Sequence, residues 1–319
     1  MLPLLYPDPA TREALLADPL TAPIPPLHRE LFRFAEKFVR SSWTTTPEDL
    51  RHLRAAGLSD RDIVQWATLG STQSWFTMSA DGGGVPLEGD ALTGPGVGRT
   101  RDAYRDPHRD AHEVDREGLL AAASDASAPP TAAGDHDVAW VETDESSEGY
   151  IETARWAAER YGCVPNLLRA VSLQPAFYRR HRMALELLEA PRSANLSPRR
   201  HAMIRVLVSH LNRSRYTEPT ATALLSRVAG DRELADRVRA GPLDSDWSSL
   251  DRVVLLLATK LAHSAYKVTE KDAISLREAG LDDEAYVDIL NTVSIQTSLD
   301  RLANVLGVRP DPLPLLPQS

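Results

Sequence analysis

The chain has 319 residues, 42% of them hydrophobic and 25% charged, and carries a formal net charge of -9 at neutral pH. That length accommodates two ordinary domains, or one domain with a long irregular region, and the apolar content suffices for a packed core. No apolar run approaches the roughly 20 residues of a membrane span, no basic face interleaved with aromatics suggests nucleic acid, and a single cysteine, Cys163, cannot build a disulfide framework.

The opening stretch MLPLLYPDPATREALL lacks the basic start and long apolar centre of a secretion signal, so a cytoplasmic location is expected. The first strong helix start is TTTPEDL, with Thr46 as N-cap, Pro47 at the first helical position and Asp49 two residues on. This helix closes at LRAAGL, where Gly57 suits the left-handed position that ends a helix. Composition then changes. Residues 79–149 hold 16 acidic residues, 5 arginines, no lysine and 10 of the 17 glycines. Such a stretch cannot bury enough apolar surface to fold alone, and 86–149 is read as a linker or long loop. Gly82–Gly84 lacks the preceding strand and following Lys-Ser/Thr of a phosphate loop and is expected to be flexible chain. His108 and His112 stand at i, i+4 with Glu113 beside them, a spacing a metal can use. With no third ligand specified they are expected to be solvated, and no metal site is assigned.

Helical signals return at Tyr150. Ser197-Pro198 opens a helix in which Ile204, Leu207, Val208 and Leu211 recur at i, i+3, i+4 and i+7. It is followed by LNRSRYTEPTA, where Pro219 suits the first turn of a further helix and makes Thr217 its expected N-cap. Two readings of this polar stretch stand. In one, Ser214 and Thr217 only finish helices, at about 1 kcal/mol per cap. In the other, Ser214, Thr217 and the Tyr216 hydroxyl line an anion-attracting helix start and hold a carboxylate or enolate. His210, four residues before Ser214, is then the candidate general base, His201 a second candidate, and Glu218 an additional carboxylate. A histidine in a helix is more often structural than catalytic.

VTEKDAI, from Val268, repeats the capped start. Shifting the sequence by 223 lays 27–85 over 250–308 without a gap and gives 19 identities in 59 positions, among them Lys37/Lys260, Thr46/Thr269, Asp49/Asp272, Arg54/Arg277, Gly57/Gly280 and Gln73/Gln296. Matching cap and core positions predict one helical unit used twice. The first copy, within 1–85, lacks the half that precedes the second, so it is expected to pack on the domain at 150–319 or on another subunit. Gln73 and Gln296 are read as hydrogen-bonding groups between helices. With no strand-like alternation evident, the fold is expected to be all-α.

Three stretches, YIETARWAAERYGCVPNLLRAVSLQP, LSPRRHAMIRVLVSHLNRSRYTEP and VTEKDAISLREAGLDDEAYVDILNTVSIQTSLDRLANVLGV, resemble the AhpD-like, or carboxymuconolactone decarboxylase, superfamily. The resemblance covers 150–310, and 27–85 resembles a second closing segment. It implies an all-α helical bundle, a homo-oligomer or a hetero-oligomer with a related subunit, a small-molecule ligand and no cofactor. In the peroxidase branch the pocket carries Cys-x-Tyr-Cys with a nearby Glu and His. Carried onto this chain, the cysteines fall on Ser214 and Thr217, the histidine on Ala221 and the glutamate on Ala202, and only Tyr216 is kept. Peroxide reduction by that route needs a thiolate and a resolving thiol, so dithiol peroxidase activity is not expected, and Cys163 is read as a small buried hydrophobe. What the resemblance leaves is a non-redox acid–base enzyme of lyase, decarboxylase or isomerase type acting on a small organic acid or biosynthetic intermediate. The alternative is a catalytically silent ligand-binding or scaffold subunit that pairs with an active homologue. The enzyme requires a closed pocket holding Tyr216, Ser214 and a histidine, whereas the silent subunit requires the hydroxyls to be engaged at helix ends.

Overall fold

The computed structural model describes residues 5–85, 137–231, 233–242, 247–312 and 314–317, and among these it is all-α, with no strand. Helices α1 (Pro9–Ala17), α2 (Pro26–Ser41), α3 (Pro47–Ala55) and α4 (Asp60–Gly82) form the N-terminal part. The chain from 137 leads into α5 (Glu148–Tyr161), α6 (Asn166–Ala170), α7 (Tyr178–Glu189), α8 (Pro198–Leu211), α9 (Glu218–Ala229) and α10 (Leu234–Ala240). It ends with α11 (Ser249–Ser264), α12 (Glu270–Glu278) and α13 (Asp283–Leu306).

The starts expected from sequence are where the caps put them. Thr46 and Thr269 each form a reciprocal capping box, with Asp49 and Asp272, and Ser197 accepts from the Arg200 amide at the head of α8. Equivalent bonds recur 223 residues apart. Lys37 reaches Asp49 at 2.7 Å and Lys260 reaches Asp272 at 2.7 Å. Arg54 pairs with Asp60, as Arg277 does with Asp283. Gly57 and Gly280 take φ of +104° and +94°, which a side chain would strain.

Two apolar cores meet on α13. One gathers α8, α9, α11 and the first half of α13, with Met203, Leu207, Leu255 and Val293 inside it. The other gathers α2, α3, α4, α6 and α7 around the second half, including Phe38, Ile63, Leu167 and Leu302. The principal long contact between the two parts is α4 against α13, and the outer side of α4 leaves Leu69 and Phe76 exposed.

One expectation requires correction, and a second stretch can be placed in part. Of the segment read as a linker or long loop, residues 137–147 are described, as irregular chain that packs on the helices. Val138, Ala139 and Val141 are buried. The Trp140 amide donates to the Leu306 carbonyl at the end of α13 (2.9 Å), and a return bond runs from the Arg309 amide to the Val138 carbonyl (2.9 Å). The correction is at Gly82, expected to be flexible chain: it is the last residue of α4, and a Cβ there would fall 2.5 Å from Leu290 and 2.6 Å from Leu261. His108, His112 and Glu113 lie outside the described residues.

Candidate functional site

Every residue of α8 from His201 to Ser209 is buried, so its polar side chains must find partners inside the protein. Arg205 donates from Nη1 to the Leu188 carbonyl (2.7 Å) and from Nε to Gln296 Oε1 (3.2 Å). Gln296, on α13, passes the connection on by donating from Nε2 to Asp300 Oδ1 at 3.0 Å. Asp300 also accepts from Asn212 Nδ2 (2.9 Å), from Thr217 Oγ1 in a very short bond and from Ser214. Full burial nevertheless pushes its carboxyl up to about 6, because these donors recover only part of the lost hydration.

The turn between α8 and α9 makes this possible. Arg213 adopts φ +50°, an unusual conformation for a residue with a side chain, and the Ser214 amide then returns to the Ser209 carbonyl (2.9 Å). Ser214 and Thr217 are thereby aimed inward at Asp300. The Ser209 hydroxyl lies 3.1 Å from that of Thr217 and completes the cluster.

On the far side of Thr217 is a narrow cavity of about 30 Å³. Its polar lining is Thr217, Tyr216, Arg205, Gln296, His181, Glu189, Tyr161 and Thr220, its walls are leucines of α6, α7, α9 and α13, and Leu315–Pro317 run across it. His181 has both ring nitrogens buried and without a partner. Burial, aided by the Arg180 charge, holds it down at about 3, so the ring is neutral. Burial works against ionised Glu189, but hydrogen bonds from Arg160 and Tyr161 hold it below the ordinary glutamate range. Tyr216 accepts the Leu167 amide on its hydroxyl (3.3 Å). Burial and the facing Asp311 raise its own ionisation far above the usual range. Asp311, which accepts the Asn166 amide at 2.6 Å, is pushed by burial up to about 6.

The expected site residues separate into two groups. Tyr216 and Thr217 line the cavity, and Ser214 sits directly behind them, fully buried. His210 and Glu218 instead face each other at 3.7 Å, with Glu218 also bonded to Arg239 at 2.8 Å, and neither lines the cavity. Helix α8 stops at Leu211, so the face His210 would share with Ser214 does not continue. His201 is buried one turn before Arg205, held down at about 3 by burial and the Arg205 charge, and it too is away from the cavity. Thr217 precedes α9 without capping it through its side chain, and its hydroxyl donates to Asp300 instead. Cys163 is half-buried rather than part of a core. It lies near Tyr216 and Asp311, and burial together with the Asp311 charge raises its thiol, opposite to what a reactive thiolate needs.

Sequence reasoning did not find His181, Arg205 or Asp300. His181 stands in RRHRM, which has the look of a solvated basic face. A charge within the apolar run MIRVLV was the available signal for Arg205. Asp300 follows Gln296 by four residues, one helical turn, so the repeat-matched glutamine was a pointer toward it. Among the described residues no cluster of three or more metal-ligating side chains occurs, and no helix is long and apolar enough to cross a membrane.

No family model matches the chain, and no curated protein matches it. Among solved structures, it is similar to one described as alkylhydroperoxidase AhpD core, an uncharacterized peroxidase-related protein from Ralstonia eutropha JMP134, at 24% identity and a TM-score of 0.49, over 57% of this chain and 100% of that one. It is similar in the same degree to an uncharacterized peroxidase-related protein from Silicibacter sp. TM1040, at 24% identity and a TM-score of 0.49, over 57% of this chain and 96% of that one.

Proposed function

We propose that the cavity binds a small organic acid and performs non-redox acid–base chemistry on it, of lyase, decarboxylase or isomerase type. The observation that carries this reading is the convergence of Arg205, neutral His181 and the Thr217–Asp300 pair on one apolar cavity. A buried guanidinium gives a carboxylate a strong, oriented, charge-assisted hydrogen bond. The His181 ring offers one N–H donor and one lone pair, and an unmet buried polar group costs about 1–3 kcal/mol, which a polar ligand recovers. Asp300, poised at about 6, is ionised at neutrality and close enough to neutrality to act as a base. It works through Thr217: the hydroxyl takes the substrate proton as its own proton passes to Asp300. Thr217 ends neutral, and the negative charge left on the substrate faces Arg205 and His181. In the register of the AhpD-like resemblance Ser214 and Thr217 fall on the two cysteine positions, and hydroxyls there support chemistry without a disulfide.

A cavity of about 30 Å³ holds about one water, so a substrate enters by displacing Leu315–Pro317. That segment is held by the Leu315 amide on Thr220 Oγ1 (3.0 Å) and by Arg227 on the Pro317 carbonyl (3.3 Å). The same narrowness, with both hydroxyls engaged on Asp300, favours the second reading, a silent ligand-binding or scaffold subunit paired with an active homologue. Either reading goes with a cytoplasmic homo-oligomer or hetero-oligomer.

The deciding experiment incubates the protein with a panel of small carboxylic acids in D2O and follows deuterium uptake and loss of CO2 by NMR, with calorimetric binding in parallel. Turnover that falls about 100-fold or more in Asp300→Asn while binding persists is the enzyme's signature, and Arg205→Gln should lose binding. Binding without turnover by the unmodified protein establishes the silent subunit, and no binding to any acid removes both readings. With a peroxide and a dithiol donor, turnover should not exceed that of Cys163→Ala.

A further inference from the structure

The chain that covers the Arg205 cavity is held at two places. After α13 it passes the head of α6, where Asn166 Nδ2 donates to the carbonyls of Arg309 (3.2 Å) and Pro310 (3.1 Å). The Asn166 amide donates there to Asp311 Oδ1 (2.6 Å). Further on, the Leu315 amide donates to Thr220 Oγ1, Arg227 holds the Pro317 carbonyl, and Leu315, Leu316 and Pro317 form one wall of the cavity. Residues 309–312 and 314–317 belong to no helix. These few bonds, with Leu315 and Leu316 packed on the apolar clusters beneath, keep the segment down. Under it lies His181, 1% exposed and with both ring nitrogens unmet. A cavity of about 30 Å³ admits anything larger than about one water only when this segment lifts.

Asp311 is the weak point of the hold. Its Oδ2 is buried without a hydrogen-bond partner. The titratable groups facing it are Tyr216, from the turn between α8 and α9, and Cys163, from the turn between α5 and α6. Burial raises both, so both are neutral at pH 7. Among the described residues no lysine or arginine offsets the Asp311 charge. A carboxylate so placed loses more hydration than it regains, and its neutral form fits the docked segment better than its ionised form. The Asn166 amide and the Tyr216 hydroxyl favour ionisation, but burial outweighs them and pushes the carboxyl up to about 6. Lifting the segment returns Asp311 to water and to roughly 3.9. The docked segment therefore binds more protons than the lifted one. Docking is firmest at acid pH, weakens as pH rises between those two values, and levels off above them.

We propose that residues 309–317 are a lid on the Arg205 cavity, latched onto α6 by protonated Asp311 and loosened when Asp311 ionises. As regulation of a site this rests on the function proposed above; the lid itself does not, so its measurements use no substrate. Amide exchange of the full chain, corrected for the pH dependence of unstructured chain, should show protection at Leu315 falling about tenfold from pH 5 to pH 7. The same fall is expected in Asp300→Asn, and none in Asp311→Asn. Acylation of the His181 ring by diethyl pyrocarbonate at pH 7, located by mass spectrometry, should be at least about threefold slower in Asp311→Asn than in the unmodified protein. It should be at least about threefold faster when residues 312–319 are deleted. The proposal is overturned if Leu315 protection does not change with pH, if its fall persists in Asp311→Asn or vanishes in Asp300→Asn, or if deletion leaves His181 no more reactive. Should the lid behave as expected while no carboxylic acid binds, the lid stands and the role proposed for the cavity falls.

Discussion

Asp300 is a carboxylate with four donors that burial still holds at about 6, above the roughly 3.9 of an unfolded aspartate. Between these values the folded protein binds more protons than the unfolded chain, so stability is greatest on the acid side and declines as pH rises through that window, then levels off above it. Asp311, also held at about 6, adds a contribution of the same sign. Denaturant unfolding of the unmodified protein and Asp300→Asn from pH 4 to pH 7 should show the stability difference moving in favour of the asparagine as pH rises. Parallel curves would remove Asp300's raised ionisation from the account. These residues were hard to find in the sequence because their meaning depends on contacts across the fold. Arg205 meets Gln296, and Thr217 meets Asp300, over 91 and 83 positions of chain. Tyr216 and Thr217 were found because the motif that carries them is local.

Helix ends, being local, were readable in advance. The Thr46 and Thr269 capping boxes, the glycine closures and the all-α class follow from short patterns that tertiary contacts do not override. Thr46→Ala and Thr269→Ala should each lower unfolding free energy by about 1 kcal/mol, and markedly unequal losses would show that the two capped units are differently anchored. Averaged composition could not show the short apolar run in which Val138, Ala139 and Val141 are buried. It misled at Gly82, where a close helix approach, not chain freedom, sets the residue. Gly82→Ala drives a Cβ into Leu290 and Leu261, so it should cost about 1–3 kcal/mol in thermal or denaturant unfolding. A neutral result there would mean that α4 and α13 separate easily.

Helix α13 gives its first half to one core and its second half to the other. Its two ends are held differently: the start by Asp282, and the finish by Gly307 and the Trp140 strap. Gly307 takes φ +62°, and a Cβ there would lie 2.0 Å from the Trp140 ring. Gly307→Ala should therefore loosen residues 137–147, visible as faster amide exchange at Trp140. Because α13 belongs to both cores, the packing of α4 on α13 itself joins the two parts. Fragments 1–85 and 137–319, expressed from separate messages in one cell, should find each other and copurify as a single noncovalent particle that melts in one step.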